Sequence, residues 1–285
     1  MSMSAKMNVS EIDKDDAADT NPSLNRSLSA NSGKRCHVLI PAYNEERIIA
    51  TTVEALSSLA GQPDIWVIDD GSKDATAELA QRAGANVCSS QRRLGKGAAL
   101  TLGIERLTAA IADGGEAGGS NPSVNGGRSS ASSRVASASD IVLLIDADLG
   151  ASAAKVGPLI EAIAQGQADL AIAVLPSPPD TGGFGLVKSL GKRAIRNLGG
   201  GFESRAPLSG QRALTLDTMR QLMPLADGYG VEVVMTIRAL QAGMRVLELP
   251  MALRHRFTGR DLAGFLHRGR QYLDLRAALR QMGKG

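Results

Sequence analysis

The chain has 285 residues, of which 43% are hydrophobic, 21% charged and 3% aromatic, and its formal net charge is +3. This composition is ordinary for a globular protein and excludes a wholly disordered, collagen-like or coiled-coil chain. The two cysteines, Cys36 and Cys88, are too few for a disulfide scaffold, and we interpret them as small hydrophobic residues of a cytoplasmic protein.

The first half of the chain combines a polar tail with alternating apolar strands and amphipathic helices. Residues 1–35 are rich in Ser, Asn and Asp without a hydrophobic period, which predicts a disordered tail. The spacing of apolar residues then predicts regular elements up to residue 110. In chain order these are strand 36–40, helix 45–59, strand 65–68, helix 74–83, strand 86–88 and helix 97–110.

A second low-complexity stretch, residues 113–139, is predicted to be a flexible insertion between a helix and a strand. The elements predicted after it are strand 141–145, helix 153–164, strand 170–174 and, much later, strand 245–249. This alternation predicts an α/β fold, in which helices cover both faces of a mostly parallel sheet and form a three-layer α/β/α sandwich. We therefore expect one domain over residues 36–253.

The remaining segment, residues 254–285, carries eight basic and two acidic side chains. A slightly acidic domain followed by a basic tail does not resemble a nucleic-acid-binding protein, so we expect no nucleic-acid partner. Apolar residues recur at helical spacing between 262 and 279. Two interpretations of this helix remain open, namely packing on the domain or docking at the surface of an anionic membrane.

Polar clusters follow three of the predicted strands. The sequence Pro-Ala-Tyr-Asn-Glu-Glu occupies 41–46, Asp-Asp-Gly-Ser occupies 69–72, and Asp146-Ala147-Asp148 follows the apolar strand at 141–145. Each cluster alone is also typical of a turn or a helix cap. Because ligands bind outside the carboxyl ends of parallel strands, the three clusters together indicate a site at that edge.

The pair Asp146 and Asp148 is the most informative of these features. In extended chain, residues i and i+2 point to the same side, so the two carboxylates would lie together. Two neighbouring carboxylates repel unless a cation lies between them. Oxygen ligands favour Mg²⁺ or Mn²⁺, with phosphate oxygens of a substrate completing the coordination.

In this order, the three motifs resemble those of glycosyltransferase family 2, over residues 36–175 and more loosely to about 275. The resemblance implies a GT-A fold, a divalent metal, and a UDP- or GDP-sugar as donor, with residues 36–253 as the catalytic domain. It also implies that the donor nucleotide is bound by residues after the first strands and by a lysine before a helix. These are Pro41, Ala42, Tyr43, Glu45, Asp69, Asp70 and Lys96.

The second half carries two further motifs. The run Pro-Leu-Ser-Gly-Gln-Arg at 207–212 resembles the acceptor-side loop of dolichyl-phosphate sugar synthases, and Gly-Tyr-Gly-Val-Glu at 228–232 resembles a segment of glucosyl-3-phosphoglycerate synthases. In the latter enzymes a histidine after the last strand completes the metal coordination, so His255 is the third expected ligand beside Asp146 and Asp148. The residues expected on the acceptor side are Ser209, Gly210, Gln211, Arg212 and Tyr229.

The catalytic residues expected from the resemblance are Asp146 and Asp148, with Glu232 as one alternative for a general base. Many family members place a carboxylate near Gln211, and its absence here disfavours a neutral hydroxyl acceptor that needs a base. An anionic acceptor such as a polyprenyl phosphate or phosphoglycerate is already ionised. A sugar-phosphate nucleotidyltransferase and a non-catalytic sugar-nucleotide-binding protein remain alternatives at this stage.

Overall fold

A single sheet lies at the centre of the protein, which we describe from a computed structural model covering residues 34–112, 137–176, 184–255 and 273–280. Within these ranges the sheet has seven strands in the order β3-β2-β1-β4-β6-β5-β7. The strands are β1 (Cys36–Ala42), β2 (Asp64–Asp69), β3 (Asn86–Ser89), β4 (Ile141–Leu144), β5 (Leu170–Val174), β6 (Arg212–Thr215) and β7 (Val246–Pro250).

Helices cover both faces of the sheet, as predicted. They are α1 (Ile49–Ser57), α2 (Thr76–Arg82), α3 (Lys96–Ala112), α4 (Gly157–Ala164), α5 (Phe184–Leu198), α6 (Leu216–Leu222), α7 (Val231–Gln241) and α8 (residues 273–280). Because side chains alternate along a strand, Val38 and Ile40 pack into one buried cluster, with α1 and α4, while Leu39 packs into the other, with α3 and α7. The expected three-layer α/β/α sandwich is confirmed.

Two predicted helices differ from the helices observed. A helix was predicted to begin at Glu45, but α1 begins only at Ile49. The backbone before it is not helical, because Asn44 has a left-handed φ of 56° and the N–H of Glu45 donates to Thr76 Oγ1. The helix predicted over 153–164 divides into a 3₁₀ turn, Gly150–Lys155, and α4, whose second residue, Pro158, lacks the N–H needed to continue the preceding turn.

The strand β6 and the helix α6 were not predicted from the sequence. β6 runs antiparallel between β4 and β5, whereas β1, β2, β3 and β4 run parallel to one another. It is only four residues long and begins inside the motif at 207–212. Because β6 is antiparallel, the loop before it reaches the same edge of the sheet as the end of β4.

The helix α8 packs on the domain, which is the first of the two interpretations of the basic C-terminal segment. Leu275 is completely buried in a cluster with α5 and α7. A side chain at Gly228 would meet the carboxylate of Asp274, and one at Gly230 would meet the methyl group of Ala278. The helix thus lies directly on the 3₁₀ turn Gly228–Gly230 that precedes α7.

Several predictions concern residues outside the described ranges. These are the tail up to residue 33, the insertion from 113 to 136, and residues 256–272 and 281–285 of the basic segment. Among the described residues, no helix has both the length and the apolar character to cross a membrane.

Candidate active site

The polar clusters predicted from the sequence lie at one edge of the sheet, where β1, β2 and β4 end. Leu144, the last residue of β4, pairs with Arg212, the first residue of β6. The loop that enters β6 therefore lies beside the two aspartates that follow β4. This reversal of one strand brings the first and second halves of the chain into a single site.

Asp146, Asp148 and His255 form a group that could hold a metal ion, because one ligand atom from each lies within 4.8 Å of the others. His255 Nδ1 is 2.7 Å from Asp148 Oδ1. The histidine is positioned by backbone contacts of its neighbour, since Arg254 N donates to Ser152 Oγ (3.1 Å) in the 3₁₀ turn after β4. The structure thus brings together the three side chains predicted as metal ligands.

The pKa of His255 is affected in two opposing ways. Burial would lower the pKa of the imidazole, but its hydrogen bond to Asp148 raises it above the ordinary value. The imidazole Nδ1 and the Asp148 carboxylate are thus hydrogen-bond partners in this structure. A cation at the site would replace the imidazole proton as the partner of Asp148.

Lys96 lies between two carboxylates at the start of α3. Its Nζ is 2.6 Å from Asp146 Oδ1 and 2.6 Å from Glu232 Oε1. Burial would lower the pKa of Lys96, but the attraction of both carboxylates raises it above its ordinary value. For Asp146, burial would raise the pKa, but the charges of Lys96 and His255 and the hydrogen bonds from Lys96 and Gln211 together lower it, which favours the charged carboxylate.

The second oxygen of Asp146 is also occupied. Gln211 Nε2 donates to Asp146 Oδ2 (2.7 Å), and Ser209 Oγ donates to Gln211 Oε1 (3.0 Å). Gly210 lies against the same group, because a Cβ at this position would collide with the Asp146 carboxylate and Lys96 Nζ. The predicted acceptor-side loop therefore contacts the predicted metal site directly.

Arg212 is 1% exposed and lies beneath this loop. Its Nε donates to Ser209 O (2.8 Å) and its Nη1 to Thr236 Oγ1 (2.9 Å), while among the described residues Nη2 has no hydrogen-bond partner. Burial lowers the pKa of Arg212 to about 10. With Lys96 and Glu232, this arginine lines a small cavity behind Gly210.

The loops after β1 and β2 are joined to each other by hydrogen bonds. Asn44 N donates to Ser72 Oγ (2.9 Å), and Lys73 N donates to Asn44 Oδ1 (2.9 Å). Asp69 accepts from Ser72 N (3.0 Å) and is 4% exposed. These contacts give the loops predicted to bind the nucleotide a fixed arrangement, in which Pro41 and Ala42 are the last residues of β1 and Tyr43 follows directly.

Asp70 holds the chain segment that leads to Lys96. Its two carboxylate oxygens accept from Leu94 N (2.5 Å) and Gly95 N (2.9 Å). The guanidinium of Arg93 lies 4.0 Å from the ring centre of Tyr43, which ties the same segment to the loop after β1. The role of Asp70 as a ligand of the donor nucleotide remains a prediction, and the structure shows that Asp70 also holds the backbone before Lys96.

Glu232 is buried, and its carboxylate is paired with Lys96 rather than facing solvent. The side chain of Tyr229 lies outside the described part of the protein. Glu248, which holds the loop before β6, was missed because a charged residue between Leu247 and Leu249 is typical of a solvent-facing position in a strand.

Comparisons with known proteins agree with this architecture. Residues 37–111 match the family described as Glycosyl transferase family 2. The glycosyltransferase AglJ of Haloferax volcanii is 26% identical over 227 residues, which are 79% of this chain and 64% of AglJ. The chain spans less than two thirds of the length of the curated relatives that it matches.

Two solved structures of glucosyl-3-phosphoglycerate synthase from Mycobacterium tuberculosis are similar to the whole domain. The complex with Mn²⁺, UDP and phosphoglyceric acid has a TM-score of 0.63 and 25% identity, covering 87% of this chain and 79% of that chain. The complex with Mn²⁺, UDP-glucose and glycerol 3-phosphate has a TM-score of 0.61 and 25% identity, with coverages of 87% and 80%. The expected resemblance to glycosyltransferase family 2 and the GT-A fold are confirmed.

Proposed function

We propose that the protein is a metal-dependent glycosyltransferase that moves a sugar from a nucleotide-diphosphate sugar to an anionic acceptor. The observation that carries this proposal is the convergence of Asp146, Asp148 and His255 at the carboxyl edge of the sheet, with Lys96 beside them. The family match over residues 37–111 and the likeness to a synthase that binds UDP-glucose support it.

The donor atoms fit a divalent cation of the Mg²⁺ or Mn²⁺ type. Carboxylate oxygens suit both ions, and an imidazole nitrogen suits Mn²⁺ in particular. Asp148 and His255 would hold the ion together with Asp146, whose two oxygens accept hydrogen bonds from Lys96 and Gln211 and each keep a second lone pair. When bound, the ion supplies Lewis-acid stabilisation of the charge on a departing diphosphate.

The reaction that we propose breaks the bond between the anomeric carbon and the diphosphate oxygen and forms a bond from that carbon to an acceptor oxygen. The electron pair of the broken bond leaves with the nucleoside diphosphate. Lys96 holds its positive charge at the N-terminus of α3, where backbone N–H groups also favour an anion. Asp146 and Glu232 hold this ammonium in place from two sides.

An anionic acceptor follows from the groups that are present near the aspartates. Gln211 occupies the position where a carboxylate is expected as general base, and the carboxylate of Glu232 is paired with Lys96. A phosphate or carboxylate oxygen is already ionised and needs no base. The similar synthase binds phosphoglyceric acid, and we propose an acceptor of the same anionic class, either phosphoglycerate-like or a polyprenyl phosphate, whose ionised oxygen is the attacking atom, so that no proton has to be removed.

The donor is tested by measuring the thermal unfolding midpoint with UDP-, GDP- and dTDP-sugars, each with and without Mn²⁺. A ligand that binds only the folded protein raises this midpoint, so we expect one nucleotide to do so, and only with the metal. Asp148→Asn should abolish the shift, whereas Asp217→Asn, which removes an exposed carboxylate on α6, should preserve it. The absence of a metal-dependent shift with every nucleotide would contradict the proposal.

The reaction is tested by product analysis with phosphoglycerate, a short polyprenyl phosphate and neutral sugars as acceptors. We expect a nucleoside diphosphate as product and transfer to a phosphorylated acceptor. Release of pyrophosphate would instead identify a nucleotidyltransferase. If the protein binds a sugar nucleotide but forms no product with any acceptor tested, it is a sugar-nucleotide-binding protein.

A further inference from the structure

The carboxylate of Glu248 holds the backbone of the loop that enters the active site. Glu248 lies on β7, and its side chain is 5% exposed. Its Oε1 accepts from Ser204 Oγ (2.6 Å) and Ala206 N (3.2 Å), and its Oε2 accepts from Arg205 N (2.7 Å). Three consecutive residues of the loop are thus fixed by one side chain from a strand that the proposed mechanism does not use.

The same loop continues to the metal-binding group through an unbroken series of hydrogen bonds. Ser209 N donates to Ala206 O (3.2 Å), which closes a turn after the residues held by Glu248. Ser209 Oγ then orients the amide of Gln211, and Gln211 donates to Asp146. The position of the Gln211 amide therefore depends on the turn at 204–206.

We infer that Glu248 is a positioning residue, which holds the loop of residues 204–211 so that Gln211 meets Asp146. It contacts none of the residues proposed to bind metal or donor, and its effect on sugar transfer, which rests on the proposed function, passes through this loop. Glu248 makes the acceptor side of the site a preformed surface.

A carboxylate is required at this position because the loop presents only donors to it. A carboxylate accepts at both oxygens, whereas a glutamine has one acceptor oxygen and one NH₂ group that donates. In Glu248→Gln that NH₂ group would face a backbone N–H or the Ser204 hydroxyl, and at least one buried donor would lose its partner. The substitution changes the hydrogen bonding of the loop with little change in volume.

The inference is tested without any ligand by NMR of the ¹⁵N-labelled full chain. The side-chain amide signal of Gln211 is identified by its loss in Gln211→Ala. In the unaltered protein we expect this signal to be displaced from the free-amide position by its bond to Asp146. Glu248→Gln should move it towards the free-amide position, and Ser204→Ala should move it in the same direction by less.

The control is Asp169→Asn, which removes another carboxylate that accepts from a backbone N–H, that of Arg245, at the start of β7. It should leave the Gln211 signal in place. An unchanged Gln211 signal in both Glu248→Gln and Ser204→Ala, with the proteins folded, would overturn the inference. If Glu248→Gln does not fold, Ser204→Ala decides the question alone.

A second measurement links the loop to the reaction. If Glu248 acts through Gln211, Glu248→Gln should lower kcat/KM for the acceptor by about tenfold, and the double variant with Gln211→Ala should lose little more than the larger single loss. Additive losses would contradict the inference. A wild-type protein that is inactive with all donors would refute the proposed function, and the NMR result would still decide the role of Glu248.

Discussion

Two groups at opposite edges of the sheet each place a basic side chain between two carboxylates. At the carboxyl edge, Lys96 lies 2.6 Å from both Asp146 and Glu232. At the amino edge, His37 Nδ1 lies 3.2 Å from Asp64, and its Nε2 lies 3.7 Å from Asp140.

The two groups differ in what surrounds them. Lys96 borders the metal-binding group and a small cavity, whereas His37 and Asp140 are almost fully buried and their remaining contacts are structural, such as the bonds from Arg35 N and Ser137 N to Asp140. The same arrangement of a basic side chain between two carboxylates therefore serves different purposes. A basic side chain between two carboxylates does not by itself indicate an active site. The candidate active site is distinguished by the metal-binding group and the cavity beside Lys96.

The largest effect is expected for Lys96→Met, because it leaves the buried Glu232 and the half-buried Asp146 without the ammonium between them. We expect a loss of about 3–5 kcal/mol in the free energy of unfolding, and a loss of sugar transfer on the order of 10³-fold. Urea unfolding and initial rates measure these losses. Lys155→Met, at an exposed lysine, is the matched control. Near-normal rates of sugar transfer in Lys96→Met would show that the Lys96 group, like the His37 group, has only a structural role.

The corresponding change at the amino edge, His37→Leu, should separate stability from activity. It removes one partner from each of Asp140 and Asp64, which keep their other hydrogen bonds, and we expect a loss of about 2–3 kcal/mol in the free energy of unfolding, less than for Lys96 because Asp64 is in part solvated. The rate at a temperature where the protein is folded should be unchanged. A large loss of rate in the folded variant would show that the two edges are coupled.

A smaller effect is expected for Gly210→Ala, which changes the packing of the Lys96 group without removing a charge. The new methyl group would collide with the Asp146 carboxylate and Lys96 Nζ, so we expect a loss of about 1–2 kcal/mol in stability and a reduced rate. Gly157→Ala, where a Cβ would meet nothing within 4 Å, provides the control for the substitution itself. Equal unfolding midpoints for the two variants would contradict the predicted collision.

The smallest effect is expected at a third pair, Asp169 and Arg245, which is much more exposed than the other two. Hydrogen bonds from Arg245 hold the pKa of Asp169 below its ordinary value. The stability from this pair is therefore present above about pH 4, the pKa of Asp in unfolded chains, and is lost as the pH falls through the lower folded pKa. The difference in stability between Asp169→Asn and wild type should shrink over that range, as urea titrations can show.

The sequence was sufficient to predict the parallel part of the sheet and the edge at which its polar residues meet. Each of β1, β2 and β4 is a short apolar run followed by polar residues, and the direction of parallel strands then places those residues together. Asp146 and Asp148 do lie together, but the extended chain from which this was predicted ends at Leu144, and residues 147–148 form a turn. The place of His255 in the same group came from the family resemblance and not from spacing.

The second half was harder to predict because its contacts are long-range. β6 has four residues and follows a loop motif, so nothing local distinguishes it from the loop. Glu248 reaches a turn more than 40 residues earlier in the chain, a relation that no periodicity reveals. The pairing of Lys96 with Glu232 likewise depends on how α3 and α7 pack, rather than on either segment alone.

The two ends of α3 lie at opposite edges of the sheet. The helix begins at the active-site edge with Lys96 and runs for 17 residues, so its end at Ala112 lies about 24 Å away, at the edge where Asp140 precedes β4. Ala112 and Ser137 thus both lie on the side of the domain remote from the aspartates. A fluorescent reporter spliced between residues 112 and 137 would therefore be attached far from the substrates, and could signal changes in the protein without obstructing them.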